Sequence, residues 1–113
     1  LRRRLSEIDE TATLGDRVRA ALLELLPAGT VSMDAVARKL GASARTMQRR
    51  LKDEGVTFQD VLDGTREDLA RHYLKTSRMS GAEISFLLGF EDPNSFFRAF
   101  HKWTGQTPDQ LRP

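Results

Sequence analysis

The stretch "SARTMQRRLKDEG", residues 43–55, decides how the rest of the chain is read. Arg45, Gln48, Arg49 and Lys52 follow one another at i, i+3, i+4 and i+7, which on an α-helix places all four on one face. Met47 and Leu51, one turn apart, fall on the opposite face. The outward stripe is cationic, with an amide in its middle and no acid to form i, i+4 pairs. Arginine and glutamine make bidentate contacts to the major-groove edges of guanine and adenine, and cations suit phosphates. A merely solvated face is the plain alternative, and the missing acids count against it.

The charge around this stretch is unevenly distributed. Residues 32–52 hold Arg38, Lys39, Arg45, Arg49, Arg50 and Lys52 against Asp34 alone, a net +5, and residues 93–105 add Arg98 and Lys102 with no acid. The connecting residues 53–92 carry a net −5, and their acids read as solubilising charge. The whole chain, at +2 over 113 residues, would not by itself point to nucleic acid.

Compared with itself, the chain repeats. "VARKLG" matches "ISFLLG" at an offset of 48, with Val36 over Ile84, Leu40 over Leu88 and Gly41 over Gly89. At 49, Met47 falls over Phe96, Arg49 over Arg98 and Leu51 over Phe100; at 50, Gly55 falls over Gly105 and Thr57 over Thr107. Each copy reads as a short helix, a glycine turn and a second helix with an apolar stripe beneath and a basic residue at the same depth, the outline of a helix-turn-helix. Capping signals place the starts: Ser32, Ser43, Ser80 with Glu83, Asp92 before Pro93, and Thr107 before Pro108 with Gln110. Helices are predicted near residues 14–26, 32–40, 43–54, 57–76, 81–88, 93–104 and 107–112, with a further turn or two within Leu1–Glu10 that carries Arg2, Arg3 and Arg4. Gly41 and Gly89 are expected in the left-handed conformation that a steep helix-to-helix turn requires. Helix 57–76 offers Phe58, Val61, Leu62, Leu69, Ala70, Tyr73 and Leu74 to both copies, so it reads as a rigid spacer with Gly64 as its weak point.

These residues together resemble a known family. "EISFLLGFEDPNSFFRAFHKWTGQTPDQLR" is similar to the signature of the AraC/XylS family of bacterial transcription regulators, through Ile84, Gly89, Phe90, Phe96, Arg98, Phe100, Gly105, Thr107, Pro108 and Arg112. The first half, with "VARKLGASARTMQRRLKDEGVTFQDVL" and "REDLARHYL", extends the resemblance over residues 14–113. The resemblance implies an all-α, homeodomain-like domain of two helix-turn-helix units joined by a long linker helix, each unit placing its second helix in a major groove. Base-facing positions then match Arg45, Gln48 and Arg49 in the first unit and Pro93, Asn94, Ser95 and Arg98 in the second. Phe97 and His101 depart from the family pattern, which more often has a small or polar residue and a lysine there.

The expected organisation is the end of an interdomain linker over 1–13, from an N-terminal domain outside this chain, then a first unit over 14–56, a connecting helix over 57–76 and a second unit over 77–113. Expected base contacts are Arg45, Gln48, Arg49, Asn94, Ser95 and Arg98; expected phosphate contacts are Ser43, Thr46, Arg50, Lys52, Lys102 and Thr107. Double-stranded promoter or operator DNA is the expected partner of a cytoplasmic activator. RNA polymerase is expected as a second partner, and effector and dimer contacts are expected in the N-terminal domain. A helical protein-interaction module docking an acidic partner is the rival class, disfavoured because cations recur on the second helix of both copies. Phe96, Phe100 and Trp103 form one apolar stripe and read as core, with Phe97 at its edge, placed to pack on the 81–88 helix or to touch thymine methyls. No cofactor, metal or enzymatic role is expected: the chain has no cysteine, His72 and His101 lack a matching ligand set, and no nucleophile–base arrangement or phosphate loop occurs. No apolar run is long enough to cross a bilayer.

Overall fold

Every helix begins where a short polar side chain can take up the free N–H groups of a first turn. The computed structural model describes residues 12–29 and 31–113, and among them it contains seven helices: α1 (Leu14–Leu25), α2 (Met33–Lys39), α3 (Ala44–Asp53), α4 (Phe58–Thr76), α5 (Gly81–Leu87), α6 (Pro93–Thr104) and α7 (Pro108–Leu111). The helical turn expected within Leu1–Glu10 lies outside the described residues. Ser32, Ser43, Ser80, Asp92 and Thr107 stand at the N-caps, one residue before the helix in each case, because the cap residue keeps extended φ and ψ. Two capping boxes escaped the sequence reading, Thr13 with Asp16 at α1 and Thr57 with Asp60 at α4.

The repeat is a repeat of hydrogen bonds. In the first unit the Ala42 N–H donates to the Ala37 carbonyl at 3.0 Å around Gly41, whose φ is +72°. In the second, the Phe90 N–H donates to the Ser85 carbonyl at 3.1 Å around Gly89, with φ +78°. Both are the six-to-one closure of a helix ended by a left-handed residue. A side chain at either glycine would strain that conformation. The buried Ser85 hydroxyl also donates to the Asp92 carbonyl at 3.2 Å, which ties the second turn to the start of α6.

Two apolar cores share one helix. The first gathers Leu14, Val18, Leu22 and Leu26 around Val36, Met47 and Leu51, closed by Phe58 and Leu62 from α4. The second gathers Ala70 and Leu74 of α4 with Ile84, Leu88, Phe96 and Phe100. Leu69 packs against both, so this helix contributes to the two cores at once. α4 runs unbroken through Gly64, where a Cβ would meet no atom within 4 Å, and nothing in the structure explains that glycine. Phe96 and Phe100 are fully buried with ring centroids 5.7 Å apart, whereas Trp103 is only half-buried at the rim of the cluster. Truncating a buried ring such as Phe100 costs about 3–5 kcal/mol, and Trp103 less than a buried residue of its size.

The acids of residues 53–92 do more than solubilise. Glu54 accepts from the Leu14 and Gly15 N–H groups at 2.8 and 3.0 Å, capping α1 from the end of α3. Asp60, Glu83 and Asp92 cap their own helices, Asp68 pairs with Arg19, and Glu67 pairs with Arg71. The sequence hid these roles because the partners of Glu54 and Asp68 are 39 or more residues away. Arg112 closes the chain by donating to the Ser77 carbonyl at 2.9 Å and to the Met79 carbonyl, which straps α7 to the connection before α5.

Candidate nucleic-acid interface

Burial of Met47 and Leu51 against the first core fixes the rotation of α3 and turns the other side outward. Arg45, Gln48, Arg49, Arg50 and Lys52 are all exposed, and none of these cations forms an ion pair among the described residues. Three cations off this helix are paired among the described residues: Lys39 with Glu24, Arg19 with Asp68 and Arg71 with Glu67. α3 therefore holds an uncompensated positive face on a helix whose other side is locked. Ser43, at its head, accepts from the Thr46 N–H at 3.1 Å and donates its hydroxyl proton to Thr46 Oγ1 at 2.9 Å, so both hydroxyls are engaged in the cap.

α6 presents a thinner version of the same face. Phe96 and Phe100 point inward, and Asn94, Arg98, His101 and Lys102 are exposed. Ser95 is half-buried and committed: its N–H donates to Asp92 Oδ1 at 2.8 Å, and its hydroxyl donates to Oδ2 at 3.2 Å. Arg98 Nη2 donates to that same hydroxyl at 3.4 Å, a long and weak bond. The Ser95 N–H, more than any other cause, holds the Asp92 carboxyl below its ordinary range, with Arg98 adding to the effect. Phe97 packs on Gly81 at the head of α5, one of the two placements its position on the stripe's edge allowed. Thr107 lies at the N-cap of α7, accepting from the Gln110 N–H at 3.2 Å.

An open groove away from these helix faces has the opposite sign. It encloses about 480 Å³ between α1, the end of α3 and α4, and Asp16, Glu54, Asp60, Glu67 and Asp68 line it with Arg19. Such a surface repels phosphate. Among the described residues no group of three or more His, Cys, Asp or Glu side chains could hold a metal ion, and no helix is long and apolar enough to cross a membrane.

Comparison with known proteins agrees with this geometry. A helix-turn-helix domain family matches residues 36–113. The ornithine utilization regulator of Pseudomonas aeruginosa is 42% identical over 108 residues, covering 96% of this chain and 32% of that protein. The crystal structure of the transcriptional regulator CdpR from Pseudomonas aeruginosa superposes with a TM-score of 0.79 at 40% identity, over 93% of this chain and 33% of the other. The DNA-binding domain of AdpA, a global transcriptional factor crystallised in complex with a target DNA, superposes with a TM-score of 0.72 at 26% identity, over 90% of this chain and 91% of that one. The chain spans about a third of the length of the curated relatives it matches. With two glycine-turned units on one shared helix and a cationic second helix in the first, the chain belongs to the AraC/XylS family of transcription regulators and has the form of their helix-turn-helix DNA-binding domain.

Proposed function

We propose that α3 and α6 enter successive major-groove segments of one duplex, so that a single chain reads both blocks of an asymmetric site. The observation that carries this is the duplicated turn with an outward basic helix face on each copy, unpaired on α3. Arg45, Gln48 and Arg49 read base edges from α3, and Asn94, Ser95 and Arg98 do so from α6. Ser43, Thr46, Arg50, Lys52, Lys102 and Thr107 contact phosphates and set the register. At 19 residues, α4 is about 28 Å long, of the order of the roughly 34 Å at which grooves recur on one side of B-DNA. A regulator with this domain works in the cytoplasm, activates through RNA polymerase, and takes its effector and dimer contacts in a further domain.

Footprinting on a site selected from random duplexes tests the two-groove arrangement. Two protected blocks about one helical turn apart are expected, with Arg49→Ala losing discrimination in one and Arg98→Ala in the other. Protection of one groove only, or an Arg98→Ala chain with unchanged affinity and selectivity, would make α6 a buttress and overturn the proposal.

A further inference from the structure

Between its two cores, α4 has no fully buried apolar side chain: Leu62 is the last in the first core and Ala70 the first in the second. Arg66 stands in that gap. Its Nε donates to the Leu88 carbonyl at 2.8 Å and its Nη2 to the Gly89 carbonyl at 3.2 Å, a fork across the two residues that end α5. The guanidinium carbon lies 4.3 Å from the centroid of the Phe90 ring, within cation–π range. Burial draws the guanidinium below its ordinary value, with Asp63 one turn away opposing, and arginine stays charged far from that limit. Gly89 in turn meets the first unit: a Cβ there would stand 3.4 Å from Leu26 Cδ2 and from Val31 Cγ1, and 3.5 Å from Arg66 Nη2.

These contacts converge on one joint. The left-handed turn of the second unit is held on one side by α1 and its following loop, and on the other by a half-buried cation from the shared helix. We infer that Arg66 is a positioning residue for DNA recognition, fixing the second helix-turn-helix relative to the first and thereby the base-pair spacing at which both can engage. A planar fork suits this task, because two donors in fixed geometry define a direction as well as a distance. The inference rests on the two-groove arrangement proposed above. Two binding modules on a rigid joint gain affinity by effective concentration, and lose it when the spacing no longer fits.

The test compares wild type, Arg66→Ala and Arg66→Lys, each first shown to be folded by circular dichroism and melting. The chain lacks cysteine, so Arg50→Cys and His101→Cys can carry a pair of spin labels on α3 and α6 without background. In the DNA-free protein, wild type is expected to give one narrow inter-label distance. Arg66→Ala should broaden or shift it at temperatures well below melting, and Arg66→Lys, which keeps the charge but not the fork, should fall between. On DNA, wild type should lose about 100-fold in affinity when two base pairs are inserted between the blocks, and Arg66→Ala less than about tenfold. Base choice within each block should stay the same. A distance distribution identical to wild type, in whichever variant is folded, overturns the inference. If wild type itself protects a single groove, the two-groove reading fails instead, and the label distances still decide whether Arg66 sets the joint.

Discussion

The ring of Phe97 lies over Gly81 so closely that a Cβ on that glycine would stand 2.6 Å from Cε1 and 2.9 Å from Cζ. By the internal repeat, Phe97 holds on α6 the place that Gln48 holds on α3, and Gly81 holds on α5 the place of Met33 on α2. The second unit has no side chain at the head of its first helix, and an aromatic ring fills the space. Its second helix consequently offers one polar group fewer than α3. Phe97 is still 39% exposed, so its ring can swing outward. Gly81→Ala is therefore expected to displace the ring rather than unfold the unit. The net stability change should stay within about 1 kcal/mol, because alanine's better helix propensity offsets the lost packing. Melting curves and ring contacts by NMR check this, and a loss above about 3 kcal/mol would mean that the ring is fixed.

Glu54 gives a second expected outcome. It caps α1 across the chain, so Glu54→Ala strands two helix N–H groups and should cost about 1–2 kcal/mol in chemical or thermal unfolding. Glu54→Gln, which retains an acceptor, should cost less. Binding to DNA should weaken only as far as the first unit loosens, with base preference unchanged. Altered preference at full stability would assign Glu54 to the interface and contradict this account.

Acid should loosen the second unit through its caps. Backbone and side-chain bonds from Ser80 hold Glu83 below its ordinary value, and the Ser95 N–H does the same for Asp92. A carboxylate depressed in the folded state leaves the unfolded chain binding more protons, so stability rises with pH over that window. The contribution is fully present above the unfolded carboxylate range, roughly pH 4, and is lost as pH falls through the lower folded values. Melting followed from pH 7 to pH 3 should show a steeper acid decline for wild type than for the Glu83→Gln, Asp92→Asn double variant. Parallel curves would remove these two groups from the acid response.

What could be read in advance was local or periodic. Ser80 and Glu83 sit three residues apart, Asp92 precedes a proline, and Gly41 and Gly89 end matching apolar patterns, so caps, turns and helix order all follow from neighbours in the chain. The apolar stripe of α6 was legible too, but its rotation was not fixed by periodicity alone, and Trp103 proved to lie at its rim. Contacts without a period were invisible. Nothing near Glu54 announces Leu14, and Arg66 looked like one of four cations in an acidic stretch until the fold brought it to Leu88 and Gly89. The interface follows the same division: α3 declares itself by spacing, whereas the commitment of Ser95 to Asp92 and the turning of Phe97 onto Gly81 depend on side-chain geometry.

Base and phosphate contacts are separable by their salt response. Gln48→Ala or Arg49→Ala should each cost about 1–3 kcal/mol on the preferred site and relax the choice at one or two base pairs, because both side chains are exposed on the outward face of α3 with no ion pair to break. Arg50 and Lys102 lie off the centre of their helix faces. Their alanine variants should weaken all sequences alike and reduce the slope of log affinity against log salt by about one ion each. Arg98 is the discriminating case. Its bond to Ser95 is long, so releasing the guanidinium to a guanine edge costs little, and Arg98→Ala should behave as a base contact of the second block. Binding isotherms at several salt concentrations, on the preferred site and on single-base variants, separate the two classes. A uniform loss with a shallower salt slope for Arg98→Ala would place that arginine on the phosphates, and leave Asn94 as the remaining exposed side chain of α6 assigned to base reading.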